Sequence, residues 1–396
     1  MNITSKYNYI KIRFLILLVL ILFFIVKENV LEYLTKEKLF LITNNTFQIS
    51  SFRDLFNTNI TDETVLIFEP NEFHHECLPG YSKYFIDLGY NVDLLLHYSG
   101  IDSLSLYEDM ERIRLFTFAE LRKIRLFARK LSKIILKYSF VLVQSTDSNK
   151  LDLYKKLDLF NMNNSIFVFH GLNNIDINYL NYYKKNRIWT IGNFSKGLQV
   201  NPHYFGNINI RDKNDKTVFF MTSSYQRNYK HLIESSIRLK KENYNFEIII
   251  TGRSNDINPN NIPKILKNTF IFKHQASYFE MYKSIESSDY IIIPLDPNSE
   301  YDKEYKEIKA TGSIQLVFGF LKPAIINQEF SGFYNLNDNN SLIYNNNNFY
   351  YIMKKSIILN KKDYNNLKSN LKIIEEKIFK TSINNIKKVI QNSSNL

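Results

Sequence analysis

The 396-residue sequence contains a single cysteine, Cys77. One thiol excludes an internal disulfide and a cysteine-based zinc cluster alike. Only 11 glycines and 8 prolines are present, too few for a turn-dense all-β protein. Neither a Walker loop nor GxGxxG occurs, which argues against P-loop nucleotidases and dinucleotide enzymes. HExxH and the GxSxG nucleophile elbow are missing too. After residue 26 no apolar run approaches membrane-spanning length. What is present is 44% hydrophobic, which rules out disordered and collagen-like classes. The length predicts two domains plus appendages.

Lys and Arg number 51 against 39 Asp and Glu, a net charge of +12. A basic excess suits nucleic acid, an anionic membrane or an anionic substrate. No RNP, zinc-finger or basic-zipper pattern is found, so nucleic acid is not expected as a partner. The Asn-, Lys- and Ile-heavy composition also marks an AT-rich genome, so part of the charge is compositional.

One hydrophobic run stands out, residues 14–26 (FLILLVLILFFIV). Extended back through Ile10 and Ile12, with Lys11, Arg13 and Lys27 snorkelling, it reaches the roughly 20 residues that a spanning helix needs. No small-x-small cleavage site follows it. The expectation is therefore an uncleaved, single-pass membrane anchor over 1–27, followed by a polar stem over 28–60. Basic residues flank both ends almost evenly, which leaves the side of the soluble body open.

From about residue 62, short apolar runs alternate with amphipathic segments, the signature of parallel βαβ units. Strands are expected at 65–68, 91–96, 140–143 and 166–169, then at 217–221, 246–250, 270–272, 290–293, 324–326 and 342–344. A long helical stretch is expected over about 105–137, and a linker near 185–215. The pattern predicts an α/β protein of two Rossmann-like domains, 61–205 and 206–396, the second carrying C-terminal helices.

In open α/β sheets ligands bind beyond the carboxyl ends of the strands. The first loop so placed is 69–80, EPNEFHHECLPG, in which His74, His75 and Glu76 are candidates for a general base or for hydrogen bonds to sugar hydroxyls. The bland alternative is a solvated connector. The second is 223–230, SSYQRNYK, where Arg227 and Lys230 suit a diphosphate, or else form an exposed basic turn. In the third, Thr311-Gly312-Ser313 opens an apolar helix whose free backbone N–H groups can bind an anion, or are merely capped. Residues 120–137 place Leu121, Ile124, Ala128, Leu131 and Ile135 on one stripe of a basic helix. Such a helix either lies on anionic lipid or packs with a solvated basic face.

The order strand, Arg227…Lys230, strand-Thr251-Gly252, then MYKSIESSDYIIIPL (281–295) and GSIQLVFGFLKPAII (312–326), resembles the donor half of GT-B glycosyltransferases. It is most similar to the group 1, family 4-like nucleotide-sugar enzymes. The resemblance implies two facing Rossmann-like domains and metal-independent sugar transfer from a nucleotide-sugar to a glycan or lipid-linked acceptor, with no cofactor. Arg227 and Lys230 then match the basic pair on the donor diphosphate. Gly312 and Ser313 match the helix start at the donor site, and Gly80 the glycine loop of the acceptor domain. The family's paired glutamates fall at Ile308 and Leu316, which are not acidic; Glu307 and Gln315 keep the spacing one residue earlier, the second as an amide. That departure supports a second reading, a catalytically silent twin-Rossmann protein that binds glycans or anions.

Overall fold

A computed structural model describes residues 49–394, apart from 109, 172–186, 193–196, 225–226, 253–256, 307 and 346. Two sheets form among these residues, and every strand pairing within them is parallel. The first comprises β1 (Ile49–Ser51), β2 (Thr64–Glu69), β3 (Asn91–His97), β4 (Ile113–Phe118), β5 (Phe140–Val143), β6 (Ser165–Phe169), β7 (Ile188–Thr190) and β8 (Leu198–Gln199), in the order β1-β4-β3-β2-β5-β6-β7-β8. The second comprises β9 (Thr217–Ser223), β10 (Phe246–Gly252), β11 (Phe270–Lys273), β12 (Tyr290–Ile293), β13 (Ala324–Asn327) and β14 (Leu342–Tyr344), ordered β11-β10-β9-β12-β13-β14. Helices cover both faces, so central strands are buried throughout and read as unbroken apolar runs. Val65 to Phe68 and Tyr290 to Ile293 have no exposed surface.

Five sequence expectations change here. Residues 113–118, expected inside a long helix, form β4: Ile113, Leu115, Phe116 and Phe118 are buried against both helical layers. The basic stripe beyond it folds as two short helices, Leu121–Leu126 and Ala128–Ile135. Ile124, Ala128, Leu131 and Ile135 are buried in the core on one face of the sheet, which leaves no apolar stripe for lipid. The expectation of a single-pass membrane protein is also corrected: no helix among the described residues is long and apolar enough to cross a membrane, and the run 14–26 lies outside them. Residues 49–57, assigned to the stem, instead add an edge strand and a helical turn to the first sheet. Two short strands, β7 and β8, extend that sheet into the expected linker.

The domains are tied at several points. A capping box between Ser277 and Glu280 starts the helix Tyr278–Ser287. The free N–H of its first residue, Tyr278, donates to Asp102 Oδ2 of the other domain at 2.8 Å. The last helix, Lys361–Ser394, packs Tyr364 and Leu371 on the second domain and then Ile386 and Val389 in the core of the first. His203, in the crossing segment, donates from Nε2 to Glu375 Oε1 of that helix at 2.8 Å.

Candidate active site

The carboxyl ends of β2, β5 and β6 face residues 304–312 of the second domain across a cleft of about 500 Å³. An isolated antiparallel bridge between Gly171 and Lys309 closes one side, where the Ala310 N–H donates to the His170 carbonyl at 3.0 Å.

His74 lines this cleft. Its φ of 68° is left-handed, a conformation costly for a residue with a Cβ. The ring stacks on His170 with centroids 4.0 Å apart. Its Nδ1 lies 3.3 Å from Glu76 Oε1. Burial alone would raise the Glu76 carboxyl; opposing hydrogen bonds, that to His74 first among them, hold the group down at about 2. An ionised carboxylate only accepts, so it fixes a proton on His74 Nδ1 and turns Nε2 away from Glu76. The second carboxylate oxygen, Oε2, accepts the Tyr278 hydroxyl from the other domain at 3.2 Å. Glu76 thus sits behind His74 and bridges the domains; it is not among the cleft-lining residues.

His75 is elsewhere. It is fully buried, and neither ring nitrogen has a hydrogen-bond partner. The ring lies against Gly100, where a Cβ would approach its Cδ2 to 2.2 Å, so only glycine fits there. Burial pushes the imidazole down to about 4, which keeps it neutral at physiological pH.

Along the first-domain wall of the cleft, Asn71 Nδ2 donates to the Ser145 carbonyl at 2.9 Å, and Lys150 binds both the Asn71 amide oxygen and, at 3.0 Å, Asp147. His170 Nε2 meets Ser145 Oγ at 3.2 Å, and burial pushes that imidazole well below its ordinary range.

On the donor side the two basic residues part. Arg227 is 7% exposed, its guanidinium 5.6 Å from the Tyr305 ring centroid, and its Nε has no partner. Lys230 instead points to solvent and pairs with Glu234 at 3.9 Å along its own helix. Gly312 lines the cleft at the start of the helix Ser313–Gly319, and a Cβ there would meet nothing within 4 Å. Ser313 Oγ bonds Thr222 Oγ1 at the end of β9 (3.0 Å). Gly80 packs on the crossing segment, where a Cβ would sit 2.5 Å from the Pro202 backbone. Ile308 is part of the cleft wall and Leu316 is buried; Glu307 lies outside the described residues. The Gln315 amide, oriented as its neighbours require, donates to the Thr311 and Gly312 carbonyls at 3.2 and 2.9 Å.

The sequence did not single out Lys309, whose Nζ lies 4.6 and 5.0 Å from the Tyr301 and Tyr305 ring centroids and 3.8 Å from Glu304. His170 was visible only as a strand end. Both follow expected strands or precede the expected helix, so a signal existed: polar residues at the carboxyl ends of parallel strands.

No family model matches the sequence, and no curated protein matches it. Among solved structures, a glycosyltransferase from Rickettsia africae is 14% identical, with a TM-score of 0.52, 84% of this chain covered and 99% of that one. Anabaena HepE, solved in complex with UDP-glucose, is 11% identical, with a TM-score of 0.50, 84% of this chain covered and all of that one. Two parallel α/β domains facing across a cleft, shared over that length, define this chain as a divergent protein of the GT-B glycosyltransferase fold.

Proposed function

We propose that the protein is a glycosyltransferase that moves a sugar from a nucleotide-sugar donor to a hydroxyl of a glycan or lipid-linked acceptor, without a metal or cofactor. The carrying observation is the cleft itself, with cationic Lys309 on one wall and the His74–Glu76 pair on the other. The complex of HepE with UDP-glucose supports a nucleotide-sugar for the same fold. Arg227, Lys309 and the N–H groups at Gly312 and Ser313 stabilise the departing diphosphate, whose charge develops as the glycosidic bond breaks. His74, oriented by Glu76, accepts the proton of the acceptor hydroxyl. Lys230 is left for the rim of the donor site, and His75 and Gly80 hold the loop and helix that carry His74.

Thermal shift of the full chain with UDP-, GDP-, ADP- and CMP-sugars tests this, since a donor at a hundred times its Kd stabilises the folded state by about 2.7 kcal/mol. Donor hydrolysis or transfer is measured beside it. Absence of a shift with every donor defeats the proposal. Binding without turnover turns the protein into the silent binding module that Ile308, Leu316 and Gln315 favour.

A further inference from the structure

We propose that the first-domain wall of the cleft is a subsite for an uncharged saccharide, with Phe73 as the platform on which its ring stacks. The inference rests on reading the cleft as a glycosyl-transfer site, and it selects a neutral glycan among the acceptors.

Phe73 is 55% exposed. Of the large hydrophobic side chains that stand exposed among the described residues, it alone lines the cleft. Single exposed apolar residues are ordinary on a surface, but one at the mouth of a polar cleft offers its ring to a ligand. It is braced in place: its ring meets His74 edge-on at 5.0 Å and 79°. The neighbouring wall is consecutive and polar, Ser145-Thr146-Asp147-Ser148-Asn149. The two parts are joined through Asn71, which donates to the Ser145 carbonyl, and through Gln144, which donates to the His74 carbonyl at 2.6 Å.

That combination discriminates among ligands. A purely apolar ligand would bury hydroxyls and amides without partners, which opposes its binding. An anionic ligand would meet Asp147, while the nearest cation, Lys150, is already held by Asp147 and Asn71. The cleft's other lysine, Lys309, stands on the opposite wall. A neutral sugar ring has a C–H face for the aromatic ring and hydroxyl edges for the polar run.

The test uses the full chain and calorimetric titration with neutral trisaccharides (maltotriose, cellotriose, chitotriose, mannotriose) against trigalacturonate and sialyllactose. At least one neutral trisaccharide should saturate, and the anionic ones should bind about tenfold more weakly or worse. Phe73→Ala should weaken the neutral ligand by about tenfold, and Phe73→Trp should restore it, because a larger ring keeps the platform. UDP-sugar affinity should be the same in all three proteins, which also shows that the variants are folded. Equal or tighter binding of the anionic saccharides, wild-type binding by Phe73→Ala, or no saturation by any neutral trisaccharide overturns the proposal. Donor binding separates the two readings: its loss in the wild type defeats sugar transfer, while the saccharide titrations still judge the subsite.

Discussion

Replacing Glu69 by glutamine should remove a slope from the pH dependence of stability. Glu69 ends β2 with no exposed surface; Oε1 accepts the Asn71 N–H at 2.7 Å, and Oε2 has no hydrogen-bond partner. Burial raises its carboxyl from 4.5 to about 8, against the opposing hydrogen bonds from Ser145 and Asn71. The folded protein therefore keeps a proton that the unfolded chain releases above pH 4.5. Stability is full below that pH and falls as pH rises towards 8. At 1.36 kcal/mol per pH unit, the loss between pH 4.5 and 7 is on the order of 3 kcal/mol. Glutamine is neutral at every pH, so Glu69→Gln should lack this loss, and the gap between the two proteins should change steadily from pH 5 to 8. Urea unfolding followed by fluorescence is the assay. The chain has one tryptophan, Trp189, buried in β7 of the same sheet, so the signal reports the domain that holds Glu69. Parallel stability curves for the two proteins across that window would refute the reasoning.

Arg227→Ala should weaken UDP by about 10- to 100-fold, as a lost charge-assisted hydrogen bond implies, and uridine much less; equal losses in calorimetry would remove Arg227 from the diphosphate site. Tyr278→Phe should destabilise the full chain by about 1–2 kcal/mol, because the Glu76 carboxylate loses its partner across the domains. The same change in a Glu76→Gln background should cost clearly less, and strictly additive losses in the double-mutant cycle would show that the contact carries no energy. Gly80→Ala should cost about 1–3 kcal/mol through the clash with Pro202, whereas Gly312→Ala meets open space and should leave the melting temperature nearly unchanged; similar effects of the two in thermal unfolding would contradict the assigned packing.

Most of the two-sheet plan is legible from the residues, because a strand buried on both faces must be apolar throughout and such runs are countable. Each expected run from 65–68 to 342–344 became a strand, and the loops after them hold the cleft residues His74 and Gly312. Strand β4 was hidden for a physical reason. Arg112 just precedes it and Arg114 interrupts its apolar positions, and their charge looks like the polar face of a helix. Only pairing with β3 sets Arg114 against Asp93, where two hydrogen bonds of 2.6 and 2.9 Å and the Tyr138 hydroxyl satisfy a buried carboxylate.

The candidate site divides in the same way. The sequence by itself determined which loops stand at the carboxyl ends of strands, since that depends only on strand order along the chain. It put Glu76 slightly ahead of His75, on the ground that a carboxylate is ionised at neutral pH, but three consecutive residues gave no way to tell which side chain reaches the cleft. The tertiary structure separates their positions: His74, in a left-handed conformation, lines the cleft, His75 is buried against Gly100, and Glu76 accepts the Tyr278 hydroxyl of the other domain. It likewise sent Arg227 to the Tyr305 ring and Lys230 to solvent, although they are three residues apart. Lys309 and His170 line one cleft only because the chain just after β6 bridges residues 309–310 of the other domain. Contacts between residues more than a hundred positions apart depend on how two domains dock, and no local pattern in the chain encodes that geometry.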